Sequence, residues 1–125
     1  MSFDAIGIVS ENPQRSIEFY GILGVELKQY ENSGHFEGKT PSGVRFMLDT
    51  ADVIRSFEPG WKKTRGNGIS LCFLQSSARG VDEVFAKLQK AGFEIVKAPW
   101  DAFWGHRYAC VKDPDGIQID LFAPL

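Results

Sequence analysis

The feature that most constrains this chain is that it nearly repeats itself. Lys39-Thr40-Pro41-Ser42-Gly43-Val44-Arg45-Phe46-Met47-Leu48 lies over Lys112-Asp113-Pro114-Asp115-Gly116-Ile117-Gln118-Ile119-Asp120-Leu121, with Lys, Pro, Gly and Leu identical. Gly24-Val25-Glu26-Leu27 lies over Gly92-Phe93-Glu94-Ile95, and Ala5-Ile6-Gly7-Ile8 over Gly68-Ile69-Ser70-Leu71. Chance could produce one such match, because Pro and Gly turns between strands are common. Three matches in one order point to two copies of a single module.

The elements inside each copy follow from spacing. Residues 3–9 form a β-rich run closed by Asn12 and Pro13, a cap and a first-turn residue for a helix carrying Ile17, Tyr20 and Leu23. Gly24 stops that helix, and strands follow at residues 25–30, 35–39 and 44–49. After a looser stretch at about 51–66, the order recurs. Residues 68–74 are a strand, and Val81, Val84, Phe85 and Leu88 mark one apolar helical face. Strands at 93–97, 107–112 and 117–122 complete the second module. The result is an α+β fold of tandem β-α-β-β-β modules, about 1–50 and 67–125, in a single domain spanning 1–125.

Composition narrows the partners. Fourteen Lys and Arg against sixteen Asp and Glu leave a net charge of −2, and the one short basic run, Trp61-Lys62-Lys63-Thr64-Arg65, reads as a solvated loop, so nucleic acid is not expected as a partner. Hydrophobic residues make up 43% of the chain, enough for a core without disulfides or a structural metal. Cys72 and Cys110 sit in apolar runs without zinc-type spacing and read as reduced core residues. No run is long enough to cross a membrane, and no signal peptide is evident, so a cytoplasmic protein is expected.

Strand parity suggests where a site could lie. Ile6, Ile8, Val44, Phe46, Leu48, Ile69, Leu71, Phe73, Ile117, Ile119 and Leu121 share one parity and belong under the helices. The opposite parity, with Arg45, Met47, Asp49, Ser70, Cys72, Gln118 and Asp120, is mixed and rich in small residues, which suits a pocket. Trp61, Trp100, Phe103 and Trp104 fall in loops or at strand ends, where their rings either wall that pocket or plug the sheet ends or a subunit interface. If Lys112 pairs with Ile117 across the second turn, Arg107 faces Phe122 on the pocket side and neighbours Asp120. The two then either form an ion pair or leave Arg107 to bind a ligand oxygen. No nucleophile elbow, dinucleotide fingerprint or phosphate loop is present; in Gly66-Asn67-Gly68 the third glycine position falls on Leu71.

The paired modules, Asn12-Pro13-x-x-Ser16-x-x-Phe19-Tyr20, Trp104-Gly105-His106-Arg107 and Asp113-Pro114-Asp115-Gly116 together resemble the vicinal oxygen chelate superfamily of glyoxalases, bleomycin resistance proteins, fosfomycin-modifying enzymes and extradiol dioxygenases. The resemblance covers nearly the whole chain. It implies that the modules build a curved, cup-like mixed sheet, and that a divalent metal would be held from positions carried over to Ala5, Met47, Gly68 and Asp120. Of these only Asp120 ligates, and one carboxylate does not hold a catalytic Mg, Mn, Fe or Zn ion. A displaced set of His106, Asp120 and Glu37 would break the pattern.

The resemblance thus implies a bleomycin resistance-type protein that sequesters an aromatic or antibiotic-like compound without metal, cofactor or catalytic residues. Phe36, Met47, Trp61, Trp100, Phe103 and Trp104 would line the cleft, with Arg45, Arg107 and Asp120 orienting the polar groups of a small-molecule ligand. The alternative is a metal-dependent lyase, isomerase or dioxygenase with a non-standard metal site. A third reading is a structural module whose concave face its own loops fill. Relatives of this size commonly form homodimers.

Overall fold

Both long helices end as the repeated sequence dictates. In the computed structural model, which describes residues 1–64 and 68–125, α1 (Pro13–Ile22) starts with the Arg15 amide donating to Asn12 Oδ1 at 3.2 Å. It ends where Gly24 takes a φ of 88° and the Val25 amide reaches back to the Tyr20 carbonyl at 2.9 Å. Helix α3 (Ala78–Lys90) closes in the same way, with Gly92 at φ 84° and the Phe93 amide on the Leu88 carbonyl at 3.1 Å. The Gly24-Val25 and Gly92-Phe93 match is therefore a repeated helix cap.

Each module carries a four-stranded mixed sheet. In the first, β1 (Ala5–Ser10) runs parallel to β4 (Arg45–Thr50), which pairs antiparallel with β3 (His35–Lys39), and β3 with the two-residue β2 (Lys28–Gln29). In the second, β5 (Ser70–Leu74) runs parallel to β8 (Gln118–Pro124), followed by β7 (His106–Lys112) and the edge strand β6 (Ile95–Ala102). The chain divides into compact units at Met1–Lys63 and Thr64–Leu125. Arg65, Gly66 and Asn67, which end the basic run and begin the Gly66-Asn67-Gly68 run, lie outside the described residues.

One helix was not foreseen. The stretch expected to link the modules folds as α2 (Ala51–Phe57), capped by Thr50, whose hydroxyl accepts from the Val53 amide at 3.3 Å. Its seven residues are too few for a clear apolar period, and Pro59 and Gly60 behind it made the segment read as loop.

The cores sit where strand parity puts them. Ile8, Phe46 and Leu48 are buried in the first unit with Phe19 and Tyr20, and the Tyr20 and Phe46 rings meet at 5.6 Å. In the second, Ile119, Leu121, Ala109 and Val111 are buried with Val81, Phe85 and Leu88 of α3. Val44 and Ile69, assigned to this set, are exposed because β4 starts one residue later and β5 at Ser70.

The hairpin turns correct the expected register. The Asp113 amide donates to the Ile117 carbonyl and the Gly116 amide to the Asp113 carbonyl, both at 3.0 Å. Pro114-Asp115-Gly116 is thus a three-residue loop, with Gly116 in the left-handed region its last position requires. Thr40 and Val44 enclose an equivalent loop. Lys112 consequently pairs with Gln118, one residue on from the expected partner, and every side chain of β7 changes face relative to that expectation.

Candidate functional site

The register shift exchanges Arg107 for Tyr108 on the face of the second sheet that carries Asp120. Arg107 pairs with Ala123 and lies on the helix side, where its Nε donates to Asp82 of α3 at 2.9 Å and its NH1 to Asp101 of β6 at 3.0 Å. The expected approach of Arg107 to Asp120 is therefore wrong. Those two carboxylates, Asp82 first, raise the pKa of the guanidinium.

Tyr108 takes the vacated place. Its hydroxyl donates to Asp120 Oδ2 at 2.7 Å while Gln118 Nε2 donates to Oδ1 at 3.0 Å. Burial, then the bond to Asp120, raises the phenol pKa well above its ordinary value, so Tyr108 keeps the proton it donates. Cys72 and Cys110 pair with Asp120 from either side. They are not core residues. Cys72 is exposed and Cys110 half-buried, because even-numbered residues of β5 and β7 face away from α3. Burial, with help from Asp120, pushes the Cys110 thiol up to about 11.

Aromatic rings fill the neighbouring row. Trp100 pairs with Tyr108 and Tyr108 with Phe122. The Trp100, Trp104 and Tyr108 rings meet edge to face, at 6.1 Å between the tryptophans, 5.4 Å from Trp100 to Tyr108 and 5.3 Å from Trp104 to Tyr108. Phe103 joins Trp104 at 5.0 Å, and His106 lies against Phe122 at 5.4 Å. Trp104 is half-exposed and Phe103 almost fully so, at the tip of the β6–β7 hairpin.

An irregular edge strand makes this cluster possible. Alternation would put Lys97 and Trp100, three residues apart, on opposite faces. Register shifts between Ile95 and Lys97 and between Lys97 and Trp100 place Lys97 opposite Cys110 and Trp100 opposite Tyr108. Both then share the Asp120 face, and the Lys97 ammonium stands 4.0 Å from the Trp100 ring centroid. Pro99 is tolerated at this bulge because β6 is an edge strand.

The remaining expected site residues lie in the first unit. Phe36 pairs with Leu48 and is buried on the helix side, so its placement in a cleft is corrected. Met47 lies between Gly7 and Glu37 on the opposite face. Arg45, on that face too, donates to Glu37 and Asp4, and the Asp4 bond is the largest influence raising its pKa. His35 Nδ1 lies 2.6 Å from Asp49 Oδ1, and its Nε2 3.5 Å from Glu37. Trp61 is half-buried beneath the Arg55 guanidinium, 5.2 Å from its centroid.

The donor set does not fit the divalent metal that the superfamily resemblance implies. Gly68 precedes β5, the β5 residue opposite Asp120 is Cys72, and the β1 residue opposite Met47 is Gly7. Asp120 is engaged by Tyr108 and Gln118, and Glu37 by Arg45. Among the described residues, no three His, Cys, Asp or Glu side chains are arranged to hold a metal ion. No helix there is long and apolar enough to cross a membrane.

Of the residues expected at the site, the structure thus brings together Trp100, Phe103, Trp104 and Asp120. Strand parity places Phe122, Gln118 and Cys72 on this face without giving them a role, and sequence reasoning missed Tyr108, Cys110 and Lys97. Gly116 at the third position of its loop was the signal that would have set the register and found Tyr108.

Comparison with known proteins bears on the fold. A glyoxalase/bleomycin resistance protein/dioxygenase from Nocardioides is 25% identical, covering 100% of this chain and 84% of its own, with a TM-score of 0.76. A family enzyme from Burkholderia phytofirmans superposes with a TM-score of 0.83 at 16% identity, covering 98% of each chain. A lactoylglutathione lyase from Agrobacterium tumefaciens gives 0.71 at 12% identity, covering 98% of this chain and 92% of its own. No curated protein matches the sequence significantly. The family model for the Glyoxalase/Bleomycin resistance protein/Dioxygenase superfamily matches residues 2–121. With a match over nearly its whole length and two modules of the corresponding fold, the chain belongs to the glyoxalase/bleomycin resistance protein/dioxygenase superfamily.

Proposed function

We propose that the protein binds a planar or aromatic small molecule without the aid of a metal, on the ring-bearing face of its second sheet. The observation that carries this reading is the mutual contact of Trp100, Trp104 and Tyr108 beside the hydrogen-bonded Asp120 carboxylate. Rings that project from one sheet face offer apolar area and stacking surfaces, while one fixed carboxylate orients a polar group. Sequestration of such a compound needs affinity and no bond-making chemistry.

Tryptophan fluorescence tests it directly, since two of the three tryptophans lie in the cluster. A panel of aromatic compounds should contain members that quench emission saturably, with affinity falling about tenfold or more in Trp104→Ala. Saturable binding that Trp100→Ala and Trp104→Ala both leave intact would move the site elsewhere.

A metal-dependent lyase, isomerase or dioxygenase is the second reading, and the survival of a carboxylate at Asp120 is the observation in its favour. It requires stoichiometric binding of Ni, Mn, Fe or Zn, seen as a rise in thermal stability that Asp120→Asn abolishes.

A further inference from the structure

We infer that the compound taken up by this face is an organic cation, an ammonium or similar group carried on or beside an aromatic ring; this deepens the binding reading above and rests on it. The first ground is that the two arginines that would select an anion are committed elsewhere. Arg107 is on the opposite face of the sheet, held by Asp82 and Asp101, and Arg45 is held by Asp4 and Glu37.

The second ground is that the ring cluster already accommodates a cation. The Lys97 ammonium sits 4.0 Å from the Trp100 centroid, on a ring face whose quadrupole attracts positive charge. Lys97 is exposed and its stem is flexible, so a ligand ammonium can displace it. Lys112, the other lysine on this face, pairs with Gln118, and the Cys110–Asp120 pair lies between it and the Tyr108–Phe122 rings.

Asp120 is the third. Its Oδ2 accepts from Tyr108 and, at 4.0 Å, from the Cys72 thiol, while its Oδ1 accepts from Gln118 and has capacity for a second donor. An ammonium can therefore bind the carboxylate without breaking the bonds that hold it. An anion would meet that carboxylate at close range, in surroundings already screened from water enough to raise the Tyr108 pKa.

The test compares phenyltrimethylammonium, benzyl alcohol and benzenesulfonate on the full chain by tryptophan quenching and calorimetry. The cation should bind at least about tenfold more tightly than either other probe. Asp120→Asn should remove most of that preference, and Lys97→Ala, which vacates the Trp100 ring, should strengthen cation binding several-fold. Equal or tighter binding of benzyl alcohol or benzenesulfonate would overturn the cation assignment while leaving the stacking reading standing. Failure of all three probes, and of the wider aromatic panel, would overturn both. The ranking of probes on the unaltered protein needs no variant to fold.

Discussion

The same module built twice presents two different faces away from its helices. In the first sheet that face is a chain of polar contacts, Asp4 to Arg45 to Glu37 to His35 to Asp49, with Met47 as its large apolar member. In the second it is a cluster of aromatic rings around Tyr108 with one carboxylate. The helix-side cores are alike, Phe46 and Leu48 standing where Ile119 and Leu121 stand in the repeat. Duplication preserved what the backbone needs to fold and left the outward rows free to diverge. One face is taken up by its own polar contacts; the other ends in the exposed rings of Phe103 and Trp104.

Truncating matched core residues probes the part that the modules share. Leu48→Ala and Leu121→Ala each remove a fully buried side chain and should each cost about 2–5 kcal/mol in urea unfolding. A much smaller loss at one of them would show that the two cores are not equivalent.

Removing a single contact on each outward face separates them further. Tyr108→Phe deletes a donor to a carboxylate and should cost about 1.5 kcal/mol. Asp49→Asn, acting on a partly exposed contact of the first face, should cost under about 1 kcal/mol. The reverse order would mean that the polar network of the first face, and not the Tyr108–Asp120 bond, is the better-formed device.

The smallest effect is one of pH. Cys110 keeps its proton in the folded protein up to about 11, whereas an unfolded thiol loses it near about 8.5. Between those values the unfolded chain holds fewer protons, so stability falls as pH rises. Tyr108 acts in the same direction at higher pH. Urea midpoints between pH 8 and about 11 should decline less steeply in Cys110→Ala than in the parent; an unchanged slope would remove Cys110 as the source.

Much of the fold was legible because the signals were local and doubled. Asn12, Pro13 and Gly24 mark both ends of α1, and the second copy repeats the Gly24 signal at Gly92. The site was less legible, because it depends on register, which one turn residue controls. A four-residue turn, Asp113 to Gly116, in place of the three-residue loop Pro114-Asp115-Gly116 puts Arg107 on the wrong face and hides Tyr108. Phe36 fails for a related reason: an aromatic residue in a short strand reads as a cleft ring, while its pairing with Leu48 places it in the core. The bulges of β6 leave no period to read, so the meeting of Lys97 with Trp100 could be found only in three dimensions.

That irregular strand has a consequence for how the protein behaves when concentrated. A flat rim next to exposed rings invites cross-chain ladder growth and, with it, fibrils or precipitate. At Pro99 the rim lacks an amide hydrogen, and the uneven spacing around it offers an incoming strand no continuous template. The irregularity that sets Trp100 opposite Tyr108 therefore also makes this edge a poor template for strand addition, beside rings exposed at Phe103 and Trp104.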